Sequence, residues 1–129
     1  MATIGQLMNR DLTVVTEDTT VKQAAGQMHD QRIGSLLVRK DGDYSGIITE
    51  TDVVRAVAEH DDVANTSVVH VMSSPILTVE KKLSPHYARE LMANKRIRHL
   101  AVTDDGKIVG ILSARDLLAY FKTVSKEVS

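Results

Sequence analysis

GIITETD, residues 46–52, stands at the mouth of an apolar run made by Val53, Val54 and Val57, and its Thr49 and Asp52 are three positions apart. A hydroxyl followed at that spacing by an acid is the pattern of a helix start. The hydroxyl accepts from the amide three residues on, and the acid reaches back to the amide of the hydroxyl residue. The same pair can also hold a ligand, because a helix start presents free amides and the positive end of a dipole. Which role applies depends on the surroundings that the rest of the chain supplies.

The motif is written twice. A shift of 64 residues lays Met8 on Met72, Ala24 on Ala88, Met28 on Met92 and Arg32-Ile33 on Arg96-Ile97. The same shift lays Val38 on Val102, Asp41-Gly42 on Asp105-Gly106, Gly46-Ile47 on Gly110-Ile111, Thr49 on Ser113 and Asp52 on Asp116, without a gap. A match this long and this ordered is an internal duplication.

Within the first copy, residues 12–15 form a short apolar strand, and Val21, Ala24, Ala25 and Met28 recur at helical spacing. An apolar strand over 33–38, an Asp41-Gly42 turn, a return strand over 44–49 and a helix over 53–58 follow. The second copy repeats this with a strand over 77–79 and a helix through Ala88, Leu91 and Met92. A strand over 99–102, a turn at 104–106, a strand over 108–113 and a helix over 117–121 complete it. The fold class is therefore α/β of the α+β type, two β-α-β-β-α repeats over residues 1–62 and 63–129, with the polar stretch 59–67 as linker. One unit of about sixty residues buries too little surface for comfortable stability, so the repeats are expected to pack about a pseudo-twofold axis. The seam of such a pair is a favoured place for a small ligand.

Composition removes several function classes. The 129 residues contain no cysteine, which excludes thiolate catalysis and zinc-thiolate or iron-sulfur sites and fits a reducing, cytoplasmic compartment. The five histidines form no H-x-x-x-H pair, so no metal site is expected. A net charge of -1 and 3% aromatic residues give a polyanion neither attraction nor stacking platforms, so nucleic acid is not an expected partner. No apolar run approaches a membrane span, and 43% hydrophobic residues are too many for disorder. Met28 and Met92, on the apolar stripes of their helices, are expected in the core, and the tail KTVSKEVS as a frayed end.

Two features favour a ligand over a plain cap. Glu or Gln is the usual reciprocal partner, and the shorter Asp at both 52 and 116 suggests carboxylates that face outward. Gly46 and Gly110 permit a close backbone approach. A glycine, two apolar residues, Thr or Ser, two residues and Asp, in a duplicated β-α-β-β-α unit with RIGSLLV and RIRHLAV upstream, resembles the CBS domain, named from cystathionine β-synthase. The tandem pair is similar to a Bateman module, from about Met8 to Phe121.

The resemblance implies an adenosine-type regulatory ligand, such as AMP, ADP, ATP or S-adenosylmethionine, in the cleft between repeats, and no further cofactor. It implies that Asp bonds the ribose hydroxyls, that Thr or Ser lies by sugar and phosphate, and that early strands of the opposite repeat hold the base. One site would combine Thr13, Ile33, Gly34 and Ser35 with Ser113, Arg115 and Asp116. Its mirror would combine Thr78, Ile97, Arg98 and His99 with Thr49 and Asp52. The first is the preferred nucleotide site, since Gly34 and Ser35 leave room for a flat base and Arg115 supplies a cation where the mirror has Thr51. If His99 meets phosphate, its reference pKa near 6.5 makes affinity strengthen as pH falls.

Catalysis is not expected. Ser113, His99 and Asp116 compose a triad on paper, yet Ser113 lacks the G-x-S-x-G elbow that exposes a nucleophile. The expected role is an energy or metabolite sensor signalling to an unknown effector protein, the alternative being a ligand-free oligomerisation or interaction module. The resemblance also implies a homodimer, with Val53, Val57, Leu117, Leu118 and Phe121 as candidate contacts.

Overall fold

A computed structural model describes residues 1–128. Along the chain run α1 (Ile4–Leu7), β1 (Val14–Thr16), α2 (Val21–Gln31), β2 (Ser35–Lys40), β3 (Asp43–Thr49) and α3 (Glu50–Glu59). A 3-10 turn at Val68–His70 follows, then β4 (Thr78–Glu80), α4 (Pro85–Lys95), β5 (His99–Asp104), β6 (Lys107–Ser113) and α5 (Ala114–Val128). The structure is mixed α+β with two three-stranded sheets, β1-β2-β3 and β4-β5-β6.

Each sheet follows from local chemistry. Thr20 and Gln23 close a full capping box, 3.1 Å from the Gln23 amide to the Thr20 hydroxyl and 3.0 Å from the Thr20 amide to Gln23 Oε1, and this launches α2. Val21, Ala24 and Met28 form its buried stripe. The helix stops where Arg32 adopts a left-handed φ of 55° and the Ile33 amide returns to the Met28 carbonyl at 3.1 Å. Arg96 and Ile97 repeat this stop, which accounts for the duplicated Arg-Ile. The β1-α2-β2 crossover pairs its strands in parallel, and the β2-β3 hairpin turns through Asp41 and Gly42 at φ 50° and 87°, as an Asp-Gly turn should. Asp105 and Gly106 do the same at 53° and 78°. Both hairpins slip by one residue, so that Ser45 in one and Val109 in the other bulges beside Gly46 and Gly110.

The compact units do not follow the sequence repeats 1–62 and 63–129. One unit is Thr13–Ile76, and the other joins Met1–Leu12 to Leu77–Ser129. The cause is edge pairing. Residues 68–73 lie on the open edge of β3, where Ile47 and Ser73 exchange backbone bonds of 3.0 and 2.9 Å. The equivalent leader, residues 4–9, lies on β6 through Asn9 and Ile111. Each leader covers a sheet edge that would otherwise template unwanted pairing.

The 59–67 stretch is correspondingly no linker between units. It folds within Thr13–Ile76, where the carbonyls of Val63 and Thr66 accept the first amides of α2, from Lys22 at 3.1 Å and Val21 at 2.8 Å. In the second repeat Pro85 stands where Val21 stands and has no amide to satisfy.

Each unit has its own core. Val15, Val21, Ala24, Met28, Leu36, Val38, Ile48, Ala56, Val68 and Val71 pack together in one. Ile4, Val79, Ala88, Met92, Leu100, Val102, Leu112 and Leu117 pack together in the other. Met28 and Met92 are core residues, as their spacing predicts. The tail departs from expectation, because α5 continues through Val128; Ser129 lies outside the described residues. No helix among the described residues is long and apolar enough to cross a membrane.

Candidate functional site

In the Thr13–Ile76 unit the sheet gathers six candidate residues at one corner. The Thr13 carbonyl accepts from the Leu37 amide at 3.0 Å, Ser35 pairs with Thr49 across the ladder, and the Gly34 carbonyl accepts from the Glu50 amide at 3.1 Å. Ile33 packs, partly buried, against the core beneath. Thr49 caps α3, with its amide 2.8 Å and its hydroxyl 3.1 Å from Asp52 Oδ2. Asp52 is 4% exposed. Its carboxylate is thus turned inward, against the expectation of an outward acid, because an Asp on the third helical residue reaches the cap amide as well as Gln23 does in α2.

Sequence reasoning missed Arg55 here. Its Nη2 lies 2.9 Å from Asp52 Oδ1 and 3.0 Å from the Val71 carbonyl, so a guanidinium occupies the second carboxylate oxygen. The signal was legible as an acid and a base three apart on one helix. Beside this pair an open depression of about 350 Å³ is lined by Glu50, Thr51, Val54 and Arg55, none of them a candidate from the motif.

The other unit builds the same corner from Thr78, Ile97, Arg98, His99, Ser113, Arg115 and Asp116. Thr78 pairs with Ala101, His99 pairs with Ser113, and the Arg98 carbonyl accepts from the Ala114 amide at 2.8 Å. Ser113 caps α5 with its amide 2.8 Å and its hydroxyl 3.0 Å from Asp116 Oδ2, and it accepts from the Asp116 amide at 3.2 Å. The Ser113 hydroxyl is committed to the cap, which leaves no hydrogen on it for a triad base. Asp116 is only half-buried, and its Oδ1 accepts no hydrogen bond among the described residues. Ala119 stands where Arg55 stands in the first copy.

Charge separates the corners. Arg98 and Arg115 are both exposed and leave the chain beside the Ser113-Asp116 cap, where the first copy has Gly34 and Thr51. The two combinations expected from the resemblance each draw on both units. Within a unit, the structure brings together Thr13, Ile33, Gly34, Ser35, Thr49 and Asp52 in one, and the other seven candidates in the second.

Gly46 and Gly110 have a different use from the expected one. A Cβ on Gly46 would meet the Met72 side chain and come within 2.9 Å of the Ser73 carbonyl; one on Gly110 would meet Met8 and come within 3.0 Å of the Asn9 carbonyl. The close approach they permit is that of the leader segments. No group of three His, Cys, Asp or Glu suited to a metal ion occurs among the described residues.

The family model for the CBS domain matches residues 4–59 and 68–123. A Methanopyrus kandleri protein is 33% identical over 118 residues, spanning 89% of this chain and 60% of that longer protein. The crystal structure of a CBS-domain-containing protein from Agrobacterium tumefaciens is similar at a TM-score of 0.87 and 30% identity, over 92% of this chain and 98% of that one. The CBS domain pair of protein MJ0100, solved in complex with 5′-methylthioadenosine and S-adenosyl-L-methionine, shares the fold at a TM-score of 0.84 and 19% identity, over 95% of this chain and 98% of that one. With its duplicated sheets, hairpins and capped helices, this chain belongs to the CBS domain family and carries the domain twice.

Proposed function

We propose that the protein is a regulatory module that binds an adenosine-type ligand, AMP, ADP, ATP or S-adenosylmethionine, and passes the state of that ligand to a partner protein without turning it over. Asp116 takes the ribose hydroxyls, Ser113 lies by the sugar, and Arg115 takes phosphate. Thr13, Ile33, Gly34 and Ser35, beside Thr49 and Asp52, are the candidate ligand residues of the equivalent corner in the other unit. Thr78, Ile97, Arg98 and His99 stand beside Ser113 and Asp116 in their own unit and are the remaining candidates of that corner.

The observation that carries the reading is the state of Asp116. A carboxylate offers about four acceptor positions. Oδ2 is filled by the Ser113 amide and hydroxyl, while Oδ1 keeps two for a pair of neighbouring hydroxyls. Two exposed arginines beside it suit phosphates over a cationic methyl donor. The adenosine-type ligands of the MJ0100 pair support the same ligand class. A thermal-shift panel of AMP, ADP, ATP, S-adenosylmethionine and NADH tests the reading. A ligand at a hundred times its Kd stabilises the fold by about 2.7 kcal/mol, a clear rise in Tm, and a flat response across the panel contradicts it.

A second reading, a self-associating interaction module, is favoured by Val54 and Leu118. They hold equivalent positions of the two repeats and are 70% and 72% exposed, with Val57 at 62%. Of the contacts expected from the sequence, Leu117 is instead buried and Val53 and Phe121 pack against their cores. A homodimer through Val54, Val57 and Leu118 is compatible with ligand binding.

A further inference from the structure

The two carboxylates of the duplicated motif differ in what faces their second oxygen. Asp52 Oδ1 accepts from Arg55 at 2.9 Å, and the same guanidinium nitrogen is held by the Val71 carbonyl at 3.0 Å. The arginine therefore bridges the start of α3 to the leader segment on its own sheet edge, which fixes it in front of the acid. With Oδ2 already filled by the Thr49 amide and hydroxyl, Asp52 has a single acceptor position left and a cation across its face. A vicinal diol needs two positions and the space in front of them. In the second copy the helix residue three beyond the acid is Ala119, exposed and too short to reach Asp116.

We propose that Arg55 is a built-in occupant that closes the Asp52 copy of the motif to a ribose, so that the chain binds one adenosine-type ligand, at Asp116. The proposal rests on the function given above, and it adds a specificity-determining residue to it. The chemistry is substitution of one donor set by another: the Arg55 guanidinium satisfies the carboxylate that two sugar hydroxyls satisfy in the other copy. An alternative role for Arg55, as a phosphate-binding cation, predicts the opposite response to its removal.

The test is titration calorimetry with AMP, and with ADP, ATP and S-adenosylmethionine in parallel arms, on the wild type, Arg55→Ala and Ala119→Arg. Ala119 is on the solvent side of α5, so an arginine there leaves the core untouched, and far-ultraviolet circular dichroism checks the fold. The wild type is expected to bind one equivalent per chain. Arg55→Ala should gain a second binding event, and Ala119→Arg should lose at least tenfold in affinity because it places on Asp116 the cation that Asp52 already carries. Two equivalents in the wild type, loss of binding in Arg55→Ala, or wild-type affinity in Ala119→Arg overturns the proposal while leaving the functional reading intact. Absence of binding of AMP, ADP, ATP and S-adenosylmethionine, each titrated in its own arm, to all three chains overturns the functional reading, and the proposal with it.

Discussion

Asn9 and Ile111 exchange both backbone hydrogen bonds, 2.8 Å from the Asn9 amide to the Ile111 carbonyl and 2.9 Å in return. The first twelve residues are thereby part of the unit that holds the second motif. Ile4 is fully buried in that unit's core, among Val79, Leu100 and Leu112. Ile4→Ala should cost about 2 to 5 kcal/mol in urea unfolding, the range for a large-to-small change in a packed core. A cost within about 0.5 kcal/mol, the surface range, would mean that the leader does not contribute to the core.

The glycines before each motif are predicted to be needed for packing of these leaders. Gly46→Ala and Gly110→Ala each force a methyl against a methionine side chain and a backbone carbonyl, and should destabilise by about 1 to 3 kcal/mol. Gly26→Ala is the internal contrast. Nothing lies within 4 Å of a Cβ there, inside α2, and the substitution should stabilise by about 0.5 to 1 kcal/mol. Thermal melts of the three variants check the ordering.

Removing the two acids should give unequal losses of stability. Asp116→Ala removes the reciprocal half of the Ser113 capping box and should cost up to about 1 kcal/mol. Asp52→Ala removes the same half of the Thr49 capping box and also the Arg55 pair, whose arginine is 47% exposed and therefore adds only up to about 1 kcal/mol more. Urea midpoints on the ligand-free chains measure both, and an Asp52→Ala no less stable than Asp116→Ala would show that Arg55 contributes nothing.

One ion pair sets an acid dependence. The Lys81 ammonium, 2.8 Å from Asp104 Oδ2, holds the Asp104 carboxyl below its ordinary value of 3.8, first through that hydrogen bond. A carboxylate whose pKa is lower folded than unfolded contributes stability that is complete above the unfolded value, near 3.8, and is lost as pH falls through the folded one. Lys81→Met should therefore lower stability at pH 7 slightly and flatten the loss below about pH 4, the pair being open to solvent. Equal slopes for the two chains in pH-dependent unfolding would contradict the assignment.

The duplication and element order were legible because both rest on local signals: stripes at helical spacing, two Asp-Gly turns and a hydroxyl-acid cap. The assignment of leaders to units was not, since pairing of Asn9 with Ile111 joins residues a hundred positions apart and leaves no trace in any window. Gly46 and Gly110 are legible as sites of close approach, but their sequence does not say what approaches. Likewise the pattern at Thr49 and Asp52 predicts a cap in either role, and only the position of Arg55 distinguishes an acid already satisfied from one that still has acceptors to offer.

The most direct measurement compares AMP with 2′-deoxy-AMP by titration calorimetry on the wild type and Asp116→Asn. Grip of the ribose by Asp116 predicts that removing the 2′-hydroxyl weakens binding about tenfold or more, corresponding to about 1.4 kcal/mol for a hydrogen bond to a charged group, and that Asp116→Asn narrows this difference. Equal affinity for the two nucleotides in the wild type, or an undiminished preference for the ribose form in Asp116→Asn, would contradict it.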